Sequence, residues 1–206
     1  MGQQQGGKLN MERSDRESTK RLVGVALFTA LVVILQLLGS FIRFGPFSIS
    51  LVAMPIVVGS AVYGVGAGAW LGLVFGVTVL LSGDAAAFLA ASVGGTIITV
   101  LVKGILCGTA AGLVYKALAK TQSTVAAVVS AIVCPVVNTG TFLIGCFIFF
   151  IPILTEWATA MGFENVGRYM IFGLVGGNFL VELITNVLLC PVIIRLIQYG
   201  KKESAH

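Results

Sequence analysis

Uncharged apolar runs follow one another along almost the whole chain between Arg21 and Gln198, separated by short breaks of glycine, proline or polar residues. A membrane-crossing helix needs about 20 predominantly apolar residues, so this stretch has room for six spans with short connections. The first span runs from Leu22 to Phe41 and ends at Arg43. The turn Phe44 to Ser48 carries Gly45 and Pro46. A second span, Ile49 to Val62, is short enough to imply that the loop before it dips into the bilayer. Tyr63 and Gly64 make a tight break, and the third span continues to Leu81, closed by Ser82, Gly83 and Asp84. Small residues from Ala85 to Ala91 lead into the fourth span, Ser92 to Leu118. The fifth rises from Val125 to Ile151 and is ended by Pro152. The longest loop follows, Leu154 to Gly167, and the sixth span runs from Tyr169 to Ile197 with Pro191 as a kink. The fold class predicted is an all-α integral membrane protein with six transmembrane helices. Residues 21–198 form the membrane domain, between a flexible tail at 1–20 and a second tail at 199–206.

Composition supports a lipid setting. Hydrophobic residues make up 57% of the chain and charged residues 10%, against roughly 25% charged in soluble domains. The formal net charge of +5 would suit nucleic acid, but its placement argues for topology instead. Lys8, Arg13, Arg16, Lys20 and Arg21 precede the first span, Lys116 and Lys120 sit in a middle connection, and Arg195, Lys201 and Lys202 close or follow the last. Six spans put these ten of the thirteen basic residues on one side, with both termini. Arg43 and Arg168 fall on the other side, and Lys103 lies within a span. Basic residues concentrate in cytoplasmic loops, so both termini are expected in the cytoplasm. The polar start has no apolar core or cleavage-type site, so no signal peptide is expected. Gly2 lacks the hydroxyl residue at position 6 that myristoylation wants. Cys107, Cys134, Cys146 and Cys190 all fall in apolar runs without a CxxC pair and read as small buried hydrophobes.

Glycines at 64, 68, 72 and 76, and again at 104, 108 and 112, recur every fourth residue, a spacing that stacks small residues on one helix face for close packing. No GxxxxGK[ST] loop exists, so active import by this chain would need ion coupling or an ATPase partner. An ionisable group at membrane depth is costly and marks a functional site by default. Lys103 stands about eleven residues into the fourth span and Glu182 about thirteen into the sixth, depths of roughly 16 and 20 Å from the outer side. Asn178, Glu182 and Asn186 share a face of the sixth helix, as Thr96, Thr99 and Lys103 do of the fourth. Asn138 and Thr139 reach similar depth on the fifth, just after Pro135. The expected site is a polar pocket open to the outside. Competing with it is a structural network of a Lys103–Glu182 ion pair and interhelical amide bonds. Trp157, Phe163 and Tyr169 serve as interfacial anchors or as a lid or stacking wall over the pocket, and the turn from Arg43 to Ser50 closes over the same opening from the other side.

The segment Ala26-Leu-Phe-Thr-Ala30 resembles the helix start of S components of energy-coupling factor (ECF) transporters. Phe47-Ser-Ile-Ser-Leu51 through Pro55, Tyr63-Gly64 and the glycine helix ending at Asp84 are similar to that family's second and third spans. The resemblance covers about residues 20 to 198. It implies a six-helix bundle in a prokaryotic plasma membrane that binds a vitamin near the outer face. It further implies docking through Ala26 and Ala30 on a transmembrane coupling subunit attached to two ATPases, and toppling to release cargo. The third span lacks the Lys-Asn pair of riboflavin-type members and looks closer to the pantothenate-like branch. Lysine and amides would suit a small, partly anionic, hydroxyl-bearing ligand, with queuosine precursors or another vitamin as alternatives. No cofactor or metal is expected. The sole histidine is His206 and no carboxylate cluster appears, which argues against an intramembrane enzyme. A self-sufficient ion-coupled carrier, using Lys103 and Glu182 as a proton relay, and a structural scaffold remain as alternatives.

Overall fold

Where water is scarce every backbone N–H and C=O must bond within its own segment, so apolar runs of this length fold as helices. A computed structural model describes the backbone of residues 2–41, 43–44, 47–48 and 51–204 and the side chains of residues 16–40 and 51–202. Helix α1 covers Gly2–Phe41. A two-residue antiparallel rung follows, β1 (Arg43–Phe44) with β2 (Phe47–Ser48), Arg43 opposite Ser48. Then come α2 (Ala53–Tyr63), α3 (Val65–Leu81), the short α4 (Ala86–Ala91), α5 (Val93–Leu118) and α6 (Ser123–Phe149). Helix α7 (Ile151–Ala160) precedes α8 (Val166–Arg168), a π-helical segment Tyr169–Gly176 and α9 (Gly177–Ser204).

Four of these are long and apolar enough to cross a membrane: residues 16–40 of α1, α5, α6 and the continuous helix Val166–Lys202. Helices α2 and α3 are apolar but shorter. The large side chains turn outward, as a lipid solvent requires: Leu27 is 62% exposed, Phe147 69% and Leu188 73%. The interior mixes large apolar side chains such as Ile56, Leu71 and Phe150 with many small and polar residues, among them Ala111, Ala126, Ala131, Ser130 and Thr96. Small residues inside let backbones approach and large apolar ones outside meet acyl chains, which is the packing logic of membrane bundles. Cys107, Cys134, Cys146 and Cys190 are buried and unbridged.

Several elements differ from the pattern-based expectation. The helix α1 begins at Gly2, so the polar stretch expected to be a flexible tail continues the first span's helix; Gln, Glu, Lys and Arg are good helix formers when appended to a long nucleus. The stretch 85–91 is largely the helix α4, and the expected loop 154–167 contains most of α7. Pro152 stands in the first turn of α7, where its missing N–H costs nothing, so it starts an element as well as closing one. The last span opens at Val166, three residues early, where Asn165 caps the helix by accepting a hydrogen bond from the Gly167 N–H. The expected dip of the loop before α2 lies outside the described residues.

The break between α2 and α3 needs Gly64, whose φ is +94°, a left-handed value that side chains disfavour. Helix α3 then packs antiparallel on α5 with backbones nearly touching. A methyl group built on Gly72 would overlap the Gly104 carbonyl, and one on Gly108 would overlap that of Gly68. One register step further, a methyl on Gly76 would stand 2.9 Å from the Val100 carbonyl oxygen. The main apolar cluster joins α2, α3, α5, α6 and α9. A second, at the other end, gathers Cys146, Phe150, Leu154, Ala158, Tyr169 and Met170.

Candidate functional site

A cavity of about 330 Å³ opens where the two apolar clusters meet, with Phe75 and Val100 of the first and Phe150 of the second among its walls. Its polar lining comes from separate helices: Lys103, Thr96 and Thr99 of α5, Asn138 and Thr139 of α6, Asn178 and Glu182 of α9, and Gln36 of α1. The four-residue periodicity that put these groups on common faces aims them at one interior. Thr96 is satisfied locally, its hydroxyl donating to the Ser92 carbonyl at 2.7 Å. Thr99 Oγ1 and Asn138 Oδ1 are buried without a hydrogen-bond partner in the protein. Gly145 on α6 makes room for the Thr99 side chain, which a methyl at that position would overlap.

Lys103 and Glu182 both face the cavity. Among the described residues no nitrogen–oxygen contact within 4.0 Å joins them. The Lys103 ammonium lies instead over Phe142 at 5.0 Å and Phe75 at 5.7 Å from the ring centroids. Glu182 is only 6% exposed. The ion pair weighed from the sequence is therefore not formed, and each charge meets the cavity.

One wall is aromatic. Phe88 of α4 makes edge-to-face contacts with Phe142 at 5.4 Å, Phe150 at 5.1 Å and Trp157 at 5.5 Å. Phe88, Phe142 and Phe150 line the cavity, whereas Trp157 is one ring removed from it. Beside this wall, Asp84 gathers donors on one carboxylate oxygen. Gln36 Nε2 donates at 2.8 Å, Ser82 Oγ at 3.0 Å and Ser40 Oγ also donates. The C-terminal end of α1 is thereby clasped to the α3–α4 connection, and Gln36 and Asp84 both line the cavity.

Of the residues singled out from the sequence, Lys103, Thr99, Asn138, Asn178 and Glu182 come together at the cavity. Asn186 is buried one turn further along α9 and does not line it. The Arg43 side chain lies outside the described residues; its backbone belongs to the rung whose β2 strand contacts α9. Ala26 and Ala30 are exposed on α1, far from the cavity lining, with Ala26 beside a groove that also includes Val25, Thr29 and Trp70. Sequence reasoning missed Gln36, Asp84 and the phenylalanines of the aromatic wall, Phe88, Phe142 and Phe150. Gln36 carried a usable signal as the one amide deep in the first apolar run; the phenylalanines carried none among so many apolar neighbours.

A helical bundle with outward apolar side chains and a polar interior cavity defines a membrane protein built to hold a small solute. The chain belongs to the family described as ECF transporter, substrate-specific component, which it matches over residues 20–196. That family is a transporter component and not an enzyme family. The fold is similar to the solved structure of ThiT from Listeria monocytogenes, with a TM-score of 0.56 at 20% identity, covering 87% of this chain and 98% of that one. No curated protein matches the sequence at a significant level.

Proposed function

We propose that this chain is the capture subunit of an ATP-driven ECF importer for a small water-soluble vitamin, in the plasma membrane of a prokaryote. The observation that carries the reading is the 330 Å³ cavity with two membrane-depth charges out of contact and two orphaned polar atoms. A structural network would close on itself; here two of the lining residues carry a polar atom without a partner in the protein, and the two charges are not paired with each other. Substrate contacts are assigned to Lys103, Thr99, Asn138, Asn178 and Glu182, and the sequence-based assignments of Arg43 and Trp157 are kept, whereas Asn186, which does not line the cavity, is assigned no contact. Pantothenate-like cargo is favoured by the resemblance of the glycine helix and by a cationic, amide-bearing site. In this reading α2 and α3 each complete a span, giving six, with both termini cytoplasmic in accord with the basic residues at that end. Ala26 and Ala30 present the docking face for a transmembrane coupling subunit carrying two ATPases.

The test uses Trp157, which reports on the cavity through Phe88. In a Trp70→Phe background, fluorescence is followed while pantothenate, riboflavin, thiamine, folate, biotin, pyridoxine and queuosine precursors are titrated onto the purified chain. Saturable quenching by one compound, lost in Asn138→Leu, is expected. Uptake in cells that collapses with the proton gradient and needs no ATPase partner would replace the proposal with an ion-coupled carrier.

A further inference from the structure

The charges of the cavity are unevenly served. Asp84 already accepts from Gln36, Ser40 and Ser82, so it has little to offer a ligand. Lys103 rests on the faces of Phe75 and Phe142. Ring faces attract an ammonium but give its three N–H groups no oxygen acceptor. Glu182, buried and without a contact to Lys103, can only accept when ionised. Asn138 Oδ1 is likewise an acceptor without a donor. The cavity thus holds unmet donors at one place and unmet acceptors at another.

We infer that the ligand is two-ended: a compact oxyanion, such as a carboxylate, taken by Lys103 between Phe75 and Phe142, and hydroxyl or N–H donors taken by Glu182 and Asn138. This rests on the reading of the cavity as a capture site and specifies the chemistry that the site selects. A ligand that is only cationic would set like charge against Lys103 and leave its N–H groups unserved. A neutral ligand would strand the ammonium as the cavity dries. An oxyanion makes charge-assisted hydrogen bonds there, and the ammonium gives up ring contact of lesser strength. The donors at the other end match Glu182 without requiring a second positive charge.

Matched ligand pairs that differ in the acid group separate this from a structural role for Lys103. Pantothenate against pantothenol, nicotinate against nicotinamide and biotin against biotinamide are titrated by calorimetry onto the wild-type chain, Lys103→Met and Glu182→Gln. Small molecules released on denaturing the freshly purified wild-type chain are identified in parallel by mass spectrometry. The expected result is that the acid member of one pair, or a released compound bearing an oxyanion, binds roughly 10–100-fold tighter than its neutral counterpart. That preference vanishes in Lys103→Met, where the acid member loses its advantage and the neutral member, no longer facing a stranded ammonium, binds more tightly than to the wild type, while Glu182→Gln weakens both members together. Equal binding of the two members to the wild type, a released ligand with no oxyanion, or an equal loss of both members in Lys103→Met would overturn the inference and leave capture intact. Absence of any bound or released compound from protein shown to be folded would overturn capture itself, and the inference with it.

Discussion

Asn186 is 1% exposed, and neither atom of its amide has a hydrogen-bond partner in the protein. A buried amide in that state carries a desolvation cost of about 1–3 kcal/mol with nothing to offset it. Asn186→Leu is close in volume and removes the cost, so its thermal midpoint should rise or hold while ligand affinity stays at the wild-type level. A fall in affinity matching that of the cavity variants would instead make Asn186 part of the ligand site. Asn138 differs because its orphaned Oδ1 belongs to a cavity-lining residue. Asn138→Leu should leave the ligand-free midpoint unchanged or raised, yet weaken ligand binding by roughly 10–100-fold, one lost hydrogen bond to a buried polar group. Thermal shift with and without ligand reads both quantities on the same samples, and a variant that loses stability and affinity in parallel would count against this division. From the sequence the two asparagines looked alike, each a polar residue in an apolar run. What separates them is which walls pull apart to form the cavity, and that is set by distant packing rather than by local pattern.

The α3–α5 seam is the element pair where helix packing is least forgiving. Gly72 faces the Gly104 carbonyl so closely that no side chain fits without moving backbone. Gly72→Val should therefore separate the helices and cost on the order of 1–3 kcal/mol or more, seen as loss of the monodisperse peak in detergent. Gly94, whose added methyl meets nothing within 4 Å, is the control, and Gly94→Ala should behave as wild type. Equal tolerance at both positions would dissolve the seam. The Asp84 clasp ties a different pair, the C-terminal end of α1 and the α3–α4 connection. Asp84→Ala removes the acceptor that the Gln36 amide and two serine hydroxyls share, so hydrogen exchange should quicken in residues 36–40 and 82–92; Asp84→Asn keeps an acceptor and should show the smaller change. The seam was legible in the sequence because every-fourth glycine has one geometric meaning on a helix. Helix α7 was not, because Pro152 ends a helix as readily as it starts one, and the decision falls to Leu154 and Ala158 packing with Tyr169 and Met170. The π-helical stretch at Tyr169–Gly176 left no mark in the residue pattern at all.

Over the whole molecule, polar residues at helical spacing on α5, α6 and α9 converged as their periodicity implied, since a polar face in lipid has nowhere to go but inward. The phenylalanines of the wall and the clasp were beyond reach because they depend on where α4 and the α3–α4 connection pack. One helix joins the two halves of the proposed function. Gln36 of α1 lines the cavity, and Ala26 lies ten residues earlier, about 15 Å along the same helix. Ala26 and Ala30 make a small-residue pair on a surface that also exposes Leu22 and Val23, and Trp70 lies against α1 with its indole N–H donating to Thr29 Oγ1 at 3.1 Å. Lipid facing this surface would tolerate leucine at position 26, because leucine is as apolar as the acyl chains. A partner helix seated on small residues would not, because the added bulk holds the backbones apart. Ala26→Leu should therefore keep the ligand affinity and thermal midpoint of the wild type while lowering uptake in cells by roughly 5–100-fold, the cost of about 1–3 kcal/mol of overpacking at one interface. Co-purification with the coupling subunit should fall in step with uptake. If uptake is unchanged, the docking surface lies elsewhere on the bundle, and the exposed alanines of α1 face nothing but lipid.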